Sequence, residues 1–132
     1  MSIAYHRINL NKVIIKLRDF LNKKSNIPIA IVFGSAMRRN IVRDLDIAVY
    51  FQRKPDLMEI CRLIVELEDF LGIPVDLIPL NEVPPKLLLK IVSQGTAVKI
   101  EDRKLLAELI KRGVGEKMDI TLKQTRRRRS ID

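Results

Sequence analysis

Three aspartates set the chemistry this sequence can do. Asp44 and Asp46 head the apolar run DLDIAVYF (44–51), and Asp76 sits in a similar context in PVDLIPL (74–80). Alternate residues of a strand share a face, so Asp44 and Asp46 point together while Leu45 faces away. Carboxylates side by side repel unless a proton or a cation lies between them. Burying one without a partner costs on the order of 2 kcal/mol or more. A hard divalent ion such as Mg²⁺ takes oxygen ligands, often one or two carboxylates together with substrate phosphates. If the strand at 74–80 pairs beside the strand at 44–51, Asp76 joins the other two.

A second group lies upstream. The run IAIVF (29–33) leads into Gly34 and Ser35, with Arg38 and Arg39 following within a helical turn. Glycine lets the backbone approach a phosphate, serine can donate to it, and arginine grips it in bidentate fashion. Each piece alone has an ordinary explanation: a turn for Gly34–Ser35, a strand edge for the paired aspartates, a solvated face for Arg38, Arg39 and Arg43. Joined in this order, with Asp76 on a later strand, they describe one pocket for metal and phosphate, suited to phosphoryl or nucleotidyl transfer.

The elements that must position these residues follow from periodicity. Leu10, Val13, Ile14, Leu17 and Leu21 recur at three and four, an amphipathic helix that ends before SNIP. IAIVF reads as a buried strand, the stretch to Arg43 as a polar connection holding a short helix, and 44–51 as the second strand. Asp56 and Glu59 form a helix-capping pattern ahead of Leu57, Ile60, Cys61, Ile64, Leu67 and Leu71. Residues 74–80 form a third strand; Pro84 and Pro85 open a helix through LLLKIVSQ, which Gly95 ends at the usual position after a helix. TAVKI is a short strand, and DRKLLAELIKR a last helix. Helices alternating with about four strands imply an α/β (α+β) domain with a mixed sheet. Gly113 and Gly115 loosen the chain after that helix, and we expect one domain over 1–115 and a basic, mobile tail over 116–132.

Composition narrows the function classes. The 132 residues hold one core, with 47% hydrophobic content. No apolar run is long enough to span a bilayer or to serve as a signal peptide, so a cytoplasmic protein without membrane partners is expected. A single cysteine, Cys61, excludes an internal disulfide, and its spacing among apolar residues suggests a buried thiol. One histidine, His6, excludes His–Cys zinc clusters. The net charge of +9 suits nucleotides, nucleic acid or an acidic protein. Arg126 to Arg129 could contact nucleic acid, but 5% aromatic content argues against a base-stacking platform.

The order of these motifs resembles the nucleotidyltransferase superfamily that includes DNA polymerase β. It is most similar to the minimal nucleotidyltransferases over roughly residues 10 to 112, where LLLKIVSQGTAVKIEDRKLL also looks like that group's ending. The resemblance implies that Gly34, Ser35 and Arg38 bind the triphosphate of ATP. It also implies that Asp44, Asp46 and Asp76 hold two Mg²⁺ ions, with Asp76 helping to deprotonate the attacking hydroxyl. Many of these proteins resemble antitoxins that transfer AMP to a tyrosine of a HEPN-domain toxin, which makes such a toxin the implied partner. Transfer to a small hydroxylated molecule, or binding without catalysis, are the other roles the pattern admits. The chain departs from the family in three places: only eight residues separate Ser35 from Asp44, Met37-Arg38-Arg39 lacks the frequent glycine, and Arg43 stands where serine is frequent.

Overall fold

The computed structural model describes residues 4–112; the expected tail, with Arg126 to Arg129, and the expected boundary at residue 115 lie outside them. Strand β1 (His6–Arg7) leads into helix α1 (Leu10–Asn22), whose first turn is capped by Asn9 accepting from the Lys12 N–H at 3.2 Å. Strand β2 (Ile29–Phe33), a single 3₁₀ turn (Gly34–Met37), β3 (Ile41–Val42) and β4 (Leu45–Tyr50) follow. Helix α2 (Leu57–Leu71) starts where Asp56 accepts from the Glu59 N–H at 2.8 Å, as the capping pattern requires. Then come β5 (Val75–Pro79), α3 (Pro85–Gln94), β6 (Thr96–Ile100) and a helix α4 from residue 103 to 112.

The four longer strands form a mixed sheet in the order β5-β4-β2-β6, parallel only between β4 and β5. This is the expected α/β class. Alternation sends Ala30, Val32, Leu45, Ile47 and Val49 to one face, where they pack with Leu17 and Leu21 of α1 and Leu63 and Leu67 of α2. Ile29, Ile31 and Ala48 go to the other face, under Leu88 and Ile91 of α3 and Leu109 of α4. Each fully buried leucine or isoleucine here contributes about 1.5–3 kcal/mol. Among the described residues no helix is long and apolar enough to cross a membrane.

The short helix expected after Gly34 is there as the 3₁₀ turn, and the same connection also holds β3, which was not expected and pairs with β1 as a separate two-stranded ribbon, His6 opposite Val42. Two further expectations are corrected. Cys61 is exposed. The buried seam of α2 runs through Leu63 and Leu67, and six positions before Leu67 lies about 120° around the helix from it. Gly95 is extended (φ −79°), not left-handed; its role is space, since a Cβ there would press on the Ile31 side chain and the Val32 carbonyl.

One buried cation ties the layers together. The pairing of β2 with β6 shifts register between Ala30 and Ile31, and Val98 forms the bulge. The bulge turns Lys99 inward, where its Nζ donates to the Leu21 carbonyl at 2.8 Å and the Lys24 carbonyl at 3.1 Å, and pairs with Glu101 at 3.0 Å. It thereby satisfies carbonyls at the end of α1, which has no basic residue in its own last turn. Arg18 Nε donates to the Val98 carbonyl at 3.1 Å. On the far edge, the Val75 N–H donates to Glu68 at 2.9 Å. Lys99→Ala is expected to lower unfolding stability by about 2 kcal/mol, since it removes two charge-assisted hydrogen bonds from carbonyls that then keep only their backbone donors, the Lys24 and Ile27 N–H groups; urea denaturation with an unchanged m-value measures it.

Candidate active site

The site forms where β2 ends and β4 begins. Antiparallel pairing sets Phe33 opposite Asp46, and parallel pairing sets Asp46 beside Asp76. Asp46 shares its sheet face with Ala48 and Tyr50, the side that α3 covers farther along. Asp44 lies just ahead of β4 in the bend after β3. Asp76 is exposed, while Asp44 and Asp46 are partly covered. The structure thus brings the three sequence-singled carboxylates to one end of adjacent strands.

Gly34 explains how the two halves fit together. Its φ is +78°, a conformation that side chains rarely adopt, and a Cβ on it would overlap Asp46 Oδ2. The turn therefore lies directly against the Asp46 carboxylate. Ser35 is half-buried, and its carbonyl accepts the N–H groups of Arg38 at 3.0 Å and Arg39 at 2.9 Å, which winds the turn tightly within the short connection. Arg38 and Arg39 are both exposed; Arg38 lines the cleft beside the turn, and Arg39 does not.

Burial, and then the negative charges of Asp44 and Asp76, push the Asp46 carboxyl from its ordinary value of 3.8 up to about 6, with a hydrogen bond to Asp76 adding to the effect. Among the described residues no three acids, histidines or cysteines are already gathered at metal-holding distances. The donor chemistry nonetheless fits: all oxygen, all carboxylate, and crowded enough that a cation between them would relieve the repulsion Asp46 feels. In the metal-free protein the ionised Asp46 that a cation needs is lost as pH drops through about 6, so Mg²⁺ affinity is expected to fall there. A Mg²⁺ titration at several pH values from about 5 to 8 is the check: an affinity that does not change with pH removes Asp46 from the ion's ligands.

Beside the acids opens a cleft of about 450 Å³, walled on one side by Phe33, Gly34, Met37 and Arg38 and on the other by α3. Sequence reasoning missed the α3 wall. A signal was present: Leu87, Lys90 and Gln94 recur at three and four, which places them on one helix face. A second hollow, between the end of α1 and the start of α2, is lined by none of the three acids and has no part in this site.

Comparison with known proteins gives matches in sequence and in fold. A family model described as "Polymerase beta, Nucleotidyltransferase" matches residues 15–104. A Methanocaldococcus jannaschii protein, whose name provisionally calls it a protein adenylyltransferase, is 32% identical over 93 residues, covering 69% of this chain and 99% of its own. A crystal structure of the toxin–antitoxin complex MntA–HepT contains a chain with the same fold, at TM-score 0.64 and 17% identity, covering 92% of this chain and 97% of that one. A Shewanella oneidensis structure, a tri-AMPylated HEPN toxin with its MNT antitoxin, matches at TM-score 0.59 and 21% identity over 92% of this chain and 93% of that one.

Proposed function

We propose that this chain, which belongs to the polymerase β nucleotidyltransferase family, transfers AMP from ATP to a tyrosine hydroxyl of a HEPN-domain toxin and acts as its antitoxin in the cytoplasm. The observation that carries the reading is the pairing of Asp46 with Asp76 directly beside the Gly34 turn. Support for the acceptor comes from relatives: one bears the name of a protein adenylyltransferase, and one of the same fold was solved with an AMPylated HEPN toxin.

In this reading Asp44, Asp46 and Asp76 hold two Mg²⁺ ions, which, when bound, neutralise triphosphate charge and stabilise the attacking and leaving oxygens. Gly34 lets the backbone approach the phosphates, and the Ser35 hydroxyl and Arg38 guanidinium bind them. The acceptor oxygen attacks the α-phosphorus, and the bond from that phosphorus to the pyrophosphate oxygen breaks. A carboxylate oxygen of Asp76, the most open of the three, takes the acceptor's proton.

The test is transfer of label from α-³²P-ATP with Mg²⁺ to a HEPN-domain toxin supplied as acceptor. A labelled toxin band, absent with Asp44→Asn/Asp46→Asn protein, supports the reading. Label on a small molecule alone points to the small-acceptor role, and no label with folded protein points to a binding module.

A further inference from the structure

The α3 wall of the cleft carries charge that the motif residues do not account for. Leu87, Lys90 and Gln94 face the cleft across from Gly34 and Arg38. Helix α3 contains two lysines and no acid. Among the described residues neither Lys90 nor Arg38 forms an ion pair. Two cations therefore line a cleft whose Gly34 edge abuts the Asp46 carboxylate, yet neither cation is spent on an acid.

The direction of α3 sharpens the point. Its last turn closes on Gly95, packed against Val32 next to the Gly34 turn, so the helix presents its negative end towards the site. An anion entering here meets unfavourable backbone carbonyls on that side. A cation one turn back from the helix end offsets them, and Lys90 holds that position.

We propose that Lys90 is a second phosphate-binding cation of the nucleotide site, supplied by α3 opposite Arg38, so that the triphosphate lies between two positive walls and the acidic rim. The inference rests on the nucleotidyl-transfer reading for its ligand, a nucleoside triphosphate. Lysine acts here as a point charge on a flexible stem, so it can follow the phosphate chain where a bidentate grip would fix it.

Calorimetric titration of the full chain with Mg²⁺ and AMP-PNP tests it. Lys90→Ala is expected to weaken binding about 10-fold, the scale of one charge-assisted contact. Lys90→Arg is expected to stay within about threefold of the unmodified chain, as a retained cation should. Lys16→Ala, which removes the same charge from the exposed side of α1, is the control expected to bind as the unmodified chain does. Lys90 is exposed, so its removal leaves the core intact. Binding by Lys90→Ala within twofold of the unmodified chain overturns the proposal, as does an equal loss in Lys16→Ala. The two readings separate cleanly. A Lys90-dependent affinity in a chain that transfers no AMP sinks only the transfer; AMP transfer with Lys90-independent affinity sinks only this inference.

Discussion

Asp46→Asn is expected to abolish nucleotidyl transfer and, in the same molecule, to raise the melting temperature at pH 7.5. The first effect follows from removing a central carboxylate: transfer should fall by more than about 100-fold, the upper end of what losing even a supporting partner of a metal ligand costs. The second follows from where the carboxylate sits. Its pKa in the fold is about 6, above the ordinary 3.8, so the folded state binds this proton more tightly than the unfolded chain does. That preference stabilises the fold below about 4 and is lost as pH rises through 6; above 6 the ionised group leaves the fold burdened by desolvation and by two like charges. Asparagine keeps the shape and removes the charge. After allowance for solvent screening at a half-covered site the gain is about 1 kcal/mol, or a few degrees in a thermal scan. The gain should vanish at pH 4. A variant that loses activity without any gain in stability at pH 7.5 would mean the acids are not in conflict in the resting protein.

The second large effect is expected at Gly34. Gly34→Ala puts a methyl group at a backbone φ of +78° and into the space of the Asp46 carboxylate. Backbone strain of about 1–3 kcal/mol at such a position adds to the displacement of Asp46. Transfer should fall by about 100-fold, since a misplacement near 1 Å costs that much at a reacting centre. A double-mutant cycle separates the two causes. If the methyl and the carboxylate collide, Asp46→Ala in the Gly34→Ala background recovers part of the lost stability, with a coupling above about 0.5 kcal/mol. Strict additivity by urea denaturation would leave only the backbone conformation to blame.

Much of this layout was legible in the chain because it is written in local pattern. The period of Leu10, Val13, Ile14, Leu17 and Leu21 and the cap at Asp56 mark their helices, and the β-branched run at 29–33 marks its strand. The convergence of Asp46 with Asp76 was legible only as a condition, since parallel pairing joins residues thirty apart through a helix. What stayed hidden depends on geometry that no short window encodes. Two-residue strands such as β1 and β3 have no period to detect. Cys61 shares the apolar spacing of α2 but sits past the edge of the buried seam. Lys99 reads as an ordinary strand lysine until the bulge turns it under α1. Lys90 is unremarkable until α3 is laid across from Arg38.

The two outer strands also decide how copies of this chain behave at high concentration. A straight strand with open N–H and C=O groups recruits another strand and seeds aggregation. On β5 the Leu80 N–H bonds inward to Val49, so by alternation Val75, Leu77 and Pro79 turn their backbone groups outward. Of these, Val75 has already given its N–H to Glu68, and Pro79 has none to give. The opposite edge is bent at Val98, whose carbonyl is held by Arg18. Neither edge offers an unbroken ladder to a neighbour, so the sheet that positions the three acids resists extension into a fibril from both sides.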